Sequence, residues 1–232
     1  MQTRKINDSY VVENPVAPER WLDMFGKGQK YSSRPGCVIT SEWTTTVISD
    51  GSGTSAPTNS VTADSWVTIT NSDGDYDGVS MQLKGENYAV NTAKPFYLEA
   101  KVTPSEATQC DFAFGLIETD TTIFAVDTAH AIAVSGAGIF FSKLDAVTSI
   151  KLSVYSGGAA VSTTSVGTLA AAAIVLGMYY DGSILRVYVD DAEVAQITDG
   201  LPTNAVTPTI DYHNGNGVAN TCEIAYIKAY QA

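Results

Sequence analysis

The stretch Ile174-Val-Leu-Gly-Met-Tyr-Tyr-Asp-Gly-Ser-Ile-Leu-Arg-Val-Tyr-Val-Asp-Asp-Ala-Glu-Val-Ala-Gln-Ile197 decides the fold. Short apolar, β-branched and aromatic runs are cut at Asp181-Gly182 and at Asp190-Asp191. Residues of those types tolerate the backbone of tight hairpin turns, so the segment reads as consecutive antiparallel strands. Cys222-Glu-Ile-Ala-Tyr-Ile-Lys-Ala-Tyr230 has the same character near the end of the chain.

Working outward from this hairpin, the pattern predicts strands at Val38–Ile48, Trp66–Thr70, Gly78–Leu83, Phe96–Val102 and Asp111–Ile117, then at Ala129–Val134, Gly138–Ser142 and Ile150–Tyr155. Each is bounded by Gly, Pro, Asn or Asp, the residues that favour turns. Residues 50–59 read as an exposed polar loop, and Ser156–Gly167 as a Gly/Ala/Ser/Thr stretch. Ala170–Leu176 has helical composition, but the Ile-Val-Leu-Gly-Met-Tyr-Tyr run it leads into favours a buried strand. A dozen or so short strands without a fixed repeat predict two packed antiparallel sheets and exclude propellers and solenoids.

Residues 1–36 differ from the rest and are expected to form an arm, leaving 37–232 as the sandwich. Asn14–Gly26 predicts a short helix, with Pro18 in its first turn and Gly26 ending it. Trp21, Met24 and Phe25 then share one face. So small a helix must dock to be stable, either on this chain's own sandwich or on another subunit. Arg20, Trp21, Leu22, Met24 and Phe25 are the candidate docking residues.

A chain of 232 residues buries roughly 70–75% of its unfolded surface, enough for a core without metals or disulfides. Only 16% of residues are charged and 44% are hydrophobic, which excludes disorder. The net charge of −12 argues against nucleic acid as a partner. That charge is uneven: in residues 1–34 the cations outnumber the anions by two, so the arm suits an acidic surface. Cys37, Cys110 and Cys222 are too few and too far apart for a disulfide framework and read as small buried hydrophobes. The start of the chain lacks the apolar core of a signal peptide. The longest apolar run, Leu169–Tyr180, is shorter than the ~20 residues that span a bilayer. A soluble protein made in the cytoplasm is expected, without a membrane partner.

The series Phe96-Tyr-Leu-Glu-Ala-Lys-Val, Phe112-Ala-Phe-Gly-Leu, Leu176–Asp190 and Ile224–Tyr230 resembles the strands of concanavalin A-like (laminin G-like) jelly rolls. In those folds a Tyr-Asp-Gly-x-Leu-x-Val-Tyr-Val-Asp hairpin is common and a terminal strand closes the sheet. The resemblance covers roughly residues 40–232 and carries no diagnostic functional motif.

Candidate sites are few. Asp73, Asp75 and Asp77, followed by Gly78, match the opening of a calcium loop, in which alternate carboxylates converge on a hard cation. Lys84 stands where an EF-hand needs an acid, so a complete EF-hand is excluded. The resemblance allows a looser structural calcium site, and a solvated turn is the plainer reading; otherwise no cofactor is expected. Glycosidases of the resembled fold carry acids on alternate positions of one strand, which places carboxyls close enough for catalysis. No such run occurs: Glu99 stands alone and Asp190–Glu193 lies in a turn. The two histidines, His130 in an apolar run and His213 in an Asn/Gly-rich run, have no nucleophile motif beside them. Catalysis is not expected. The segment Asp211–Val218 reads as a loop whose Tyr212, His213, Asn214 and Asn216 could rim a sugar site by stacking and hydrogen bonding.

An acidic β-sandwich without a catalytic set, led by an arm with an aromatic face, is similar in layout to bacteriophage capsid decoration and fibre proteins. The expectation is a non-enzymatic virion structural protein, a head decoration (cement) protein on the capsid surface. It would bind the major capsid protein or another virion protein as a homotrimer. The alternative is a carbohydrate-binding module of a phage fibre or receptor-binding protein, with a glycan as partner.

Overall fold

The computed structural model describes residues 3–6, 9–12, 43–49, 53–61, 67–90, 94–125 and 130–231. The strands are β1 (Thr3–Ile6), β2 (Ser9–Val12), β3 (Trp43–Ile48), β4 (Thr58–Val61), β5 (Val67–Thr70), β6 (Gly78–Leu83), β7 (Tyr88–Ala89), β8 (Phe96–Pro104), β9 (Cys110–Ile117), β10 (Gly138–Lys143), β11 (Ser149–Ser156), β12 (Ala159–Thr168), β13 (Ile174–Tyr180), β14 (Leu185–Val189), β15 (Ala192–Ile197), β16 (Ala205–Asn214) and β17 (Thr221–Gln231). No helix occurs among the described residues.

The strands form two antiparallel sheets. The first has the order β12-β11-β10-β9-β16-β6-β3, with β7 also paired to β16. The second has the order β15-β14-β13-β8-β17-β5-β4. The hairpin β1–β2 is a separate two-stranded sheet. Period-two alternation decides which side chains meet between the sheets. From β8, Phe96, Leu98, Ala100 and Val102 enter the core; from β9, Cys110, Phe112, Phe114 and Leu116 do. Phe114 and Phe141 stack there with ring centroids 6.3 Å apart. Burying each such Phe or Leu contributes about 1.5–3 kcal/mol.

The hairpin that decided the sequence reading forms as expected. Asp181 Oδ1 accepts from the N–H groups of Ser183 and Ile184, both at 2.8 Å, and Gly182 takes φ 100°. Between β14 and β15 the two turn residues Asp190 and Asp191 both have positive φ, 48° and 67°. That is the mirror-image turn whose twist matches the flanking strands. Gly157 and Gly158 do the same between β11 and β12.

Several expectations change. The strand foreseen at 129–134 does not join a sheet; of its described residues only Ile132 forms an isolated bridge, to Phe124. Its apolar pattern comes from packing: Ile132 and Val134, with Ile123 and Phe124, sit on Ala113, Ile117 and Phe140. Ser156–Gly167 is largely the edge strand β12, and Thr58 and Asn59, placed in a loop, begin β4. Asp211–Asn214 belongs to β16 rather than to a loop. The helix foreseen at 14–26, its docking residues Arg20, Trp21, Leu22, Met24 and Phe25, Cys37 and the 36/37 boundary lie outside the described residues. Cys110 and Cys222 are free and buried.

Candidate functional site

The richest cluster of polar side chains lies on the outward face of the first sheet. Alternation turns Asp111 outward from β9, Ser80 and Gln82 from β6, and Thr207, Thr209, Asp211 and His213 from β16. All are buried, because the connection from β9 to β10 folds back over them. Phe124 of that connection is fully buried and meets the His213 ring edge-on at 5.4 Å. Glu118 and Asp120 tie the connection down. Asp120 Oδ2 accepts from the Ser135 N–H and hydroxyl at 2.8 Å each, and Glu118 Oε1 accepts from Asn204 at 2.6 Å.

Each histidine faces an aspartate. His130 Nδ1 lies 2.6 Å from Asp111 Oδ2, and Asp111 Oδ1 accepts from the Asp145 N–H at 2.8 Å. On its other side His130 Nε2 is 3.7 Å from Asp75 and 4.0 Å from Asp145, and its ring stacks on Tyr76 at 4.2 Å. His213 Nε2 lies 2.6 Å from Asp211 Oδ1, an ion-pair contact without an aligned hydrogen bond. Burial raises the Asp111 carboxyl above the usual range, against the pull of His130. For His213, burial works against the charged form, but Asp211, Asp111 and Asp77 outweigh it and the imidazole is raised. Gly78 makes room for that ring, since a Cβ there would come within 2.3 Å of it.

The sequence-predicted site residues part ways. Asp73 accepts from the Thr54 N–H and hydroxyl at 2.5 and 2.9 Å, and the Thr54 N–H bond foremost lowers its pKa. Asp75 faces His130, and Asp77 accepts a short hydrogen bond from the Ser72 hydroxyl. The three carboxylates of the foreseen calcium loop therefore serve three different partners. Among the described residues no group of three or more His, Cys, Asp or Glu side chains is arranged to hold a metal ion. The foreseen sugar rim is corrected too, because Tyr212, His213 and Asn214 are buried and only Asn216 is half-exposed. Tyr212 points into the core, and burial raises its phenol well above the usual range. Asn214 Nδ2 donates to the Ser72 and Gly74 carbonyls, both at 3.0 Å, locking the Asp/Gly loop onto the end of β16.

Sequence reasoning missed Asp111 and its pairing with His130. One signal was present: a carboxylate inside the apolar run Cys110–Ile117 must find a partner when buried. Chemically, the face holds hydroxyls, two acids and two imidazoles, but the outward positions of β10, beside β9, are Gly138, Phe140 and Ser142. No carboxylates alternate along that strand.

No family model matches the chain, and no curated protein matches it. Solved structures do. The metal-free carbohydrate recognition domain of Emp46p is similar with a TM-score of 0.59 at 15% identity, over 87% of this chain and 96% of that one. The same domain in a potassium-bound form gives 0.58 at 14% identity, over 87% and 97%. The β-glucanase of Bacillus licheniformis gives 0.54 at 13% identity, over 82% and 92%. The fold is a concanavalin A-like jelly roll. At such identities the likeness shows the jelly roll alone.

Proposed function

We propose that this jelly roll is a non-enzymatic adhesion protein, a bacteriophage head decoration (cement) protein that binds the capsid surface as a homotrimer. The observation that carries the non-enzymatic part is the filled outward face of the first sheet. Phe124 and Phe140 are fully buried on that face, which leaves its acids without the open space that cleavage of a sugar chain between two carboxyls requires. Asp111 is hydrogen-bonded to His130 at 2.6 Å, and Asp211 lies 2.6 Å from the His213 ring. The phage setting rests on the sequence, in which a segment with Trp21, Met24 and Phe25 three and four residues apart precedes an acidic sandwich. A capsid contact through that segment would bury on the order of 2,000 Å² and depend on a few aromatic anchors.

The test adds purified protein to capsids that lack it and follows co-sedimentation. The wild type is expected to bind in multiples of three per site, and Trp21→Ala/Phe25→Ala to lose binding while keeping its β-sheet circular dichroism. A double variant that decorates capsids normally would defeat the anchor. A second reading, a carbohydrate-binding module, is favoured by the likeness to a domain described as a carbohydrate recognition domain. A glycan array with the intact protein separates the two readings.

A further inference from the structure

Two Asn-Gly steps follow one another at the end of β16, Asn214-Gly215 and Asn216-Gly217. Asparagine before glycine is the pairing most prone to lose its side-chain amide. The backbone nitrogen of the next residue can reach the asparagine Cγ, and glycine puts no Cβ in its way. The fold treats the two steps in opposite ways.

Asn214 is fully buried and held at both ends of its amide. Its Nδ2 donates to the Ser72 and Gly74 carbonyls, both at 3.0 Å. Its Oδ1 accepts from the Asn216 N–H and from Asn220 Nδ2, both at 3.1 Å. The Gly215 N–H, the group that would have to attack, donates to the Gln109 carbonyl at 3.0 Å. A Cβ on Gly215 would meet Asp145 at 1.9 Å, so this glycine is packed in.

The side chain of Asn216 carries none of these restraints. It is half-exposed, and Gly217 and Val218 after it are exposed. Among the described residues no hydrogen bond engages Asn216 Nδ2 or the Gly217 N–H. A Cβ on Gly217 would meet only the Asp73 carbonyl oxygen, at 3.6 Å. The one hydrogen bond that the side chain does make favours reaction: the Val218 N–H donates to Asn216 Oδ1 at 3.1 Å. That bond folds the amide along its own backbone past Gly217. It also aims a donor at the oxygen that turns negative when Cγ is attacked.

We propose that Asn216 is a self-modifying site, whose amide is exchanged for a carboxylate in water while Asn214 is spared. Base removes the Gly217 N–H proton, and the nitrogen attacks Asn216 Cγ. An N–Cγ bond forms, the Cγ–Nδ2 bond breaks, and Nδ2 leaves as ammonia, which gives a cyclic succinimide. Water then opens the ring at either carbonyl. Opening at Cγ gives aspartate. Opening at the backbone carbonyl gives isoaspartate, in which the chain runs through the former side chain with one more methylene. One water is consumed and one ammonia released, with no change of oxidation state. The single new charge takes the formal net charge from −12 to −13. It falls beside the Asp73–Asp77 loop that Asn214 ties to β16. The site is independent of whether the protein binds a capsid or a glycan.

In the test, the intact protein is incubated in mildly alkaline buffer, native or unfolded in urea, and digested with trypsin. Mass spectrometry of the peptide Val187–Lys228 locates each conversion, and enzymatic methylation counts isoaspartate. In the native protein Asn216 is expected to convert about tenfold faster than Asn214 or more, since Asn214 must first open its hydrogen bonds. In urea the two rates should draw level. Gly217→Ala should slow conversion of Asn216 by about tenfold. It should also keep the wild-type melting temperature, because Gly217 is not at positive φ and the added Cβ has room. Equal native rates at the two asparagines, or faster conversion at Asn214, would overturn the proposal. So would a native Asn216 that keeps its amide while the unfolded chain converts, or a rate unmoved by Gly217→Ala.

Discussion

The outward faces of the two sheets follow the same alternation and end differently. On the first sheet, outward residues of β6, β9 and β16 lie beneath the β9–β10 connection and become a buried polar layer with Phe124 over it. On the second, β13, β14 and β15 are joined by tight hairpins, and Tyr179, Arg186, Tyr188 and Glu193 keep part of their surface. Alternation decides which side chains leave the core. The connections decide whether those side chains meet water or more protein. A buried polar side chain on either face must find a partner or cost stability, whereas the half-exposed ones of β13–β15 carry no such demand.

The largest expected effect tests that contrast. Phe124→Ala should cost about 3–5 kcal/mol, because it empties a fully buried ring site between the connection and the sheet. Tyr179→Ala on the open face should cost roughly 1 kcal/mol or less. Urea denaturation of both variants measures the difference, and equal costs would break the comparison. The next effect belongs to the inner part of the open face. Lys228 Nζ pairs with Glu99 at 3.0 Å, both side chains are buried, and Tyr97 donates to Glu99. Lys228→Ala should cost about 3 kcal/mol by leaving the Glu99 charge buried and uncompensated. Replacing both residues by Leu should recover most of that loss, which a double-mutant cycle reads directly.

The covered face was also the harder one to read in the sequence. β8, β9, β13 and β14 announce themselves because every second residue is large and apolar, which holds wherever one side of a strand faces a core. β16 does not: Thr-Pro-Thr-Ile-Asp-Tyr-His-Asn looks solvated, yet both its sides are buried, one by the core and one by the connection. Its polarity led to Tyr212, His213 and Asn214 being read as an exposed loop. The run at 130–134 failed in reverse, since its apolar residues pack downward from a connection and pair with no sheet. β12 carries weak alternation because seven of its ten residues are exposed at a sheet edge. The Asp111–His130 contact joins a strand to a connection across 19 positions, a distance at which no local pattern operates.

A third effect follows from His213. Its pKa is raised, so its contribution to stability is complete below the ordinary histidine value and is lost as pH rises through the folded-state value. The urea midpoint of the wild type should therefore fall on the alkaline side of about pH 6.5, and His213→Gln should remove that slope. A slope that survives in His213→Gln would assign the titration to a group other than His213.

The smallest effect serves as a control, because it arises where the chain passes from one sheet to the other. Glu106, in the β8–β9 connection, accepts from the N–H groups of Thr108, Ala107 and Gln109 at 2.6, 2.9 and 3.1 Å. The Thr108 bond comes first among the causes that lower its carboxyl, followed by Gln109, while partial burial pulls the other way. A lowered acid stabilises the fold above its ordinary value and loses that contribution as pH falls through the folded-state value, the reverse of His213. Glu106→Gln should keep part of the hydrogen bonding and cost less than about 1.5 kcal/mol at neutral pH. Its difference from the wild type should shrink as pH drops below about 4 and stay constant across the histidine range. Urea midpoints of both proteins measured from acid to alkaline pH check this. If Glu106→Gln also altered the alkaline slope, the connection and the covered face would be coupled, and the two outward faces could not be treated as independently built.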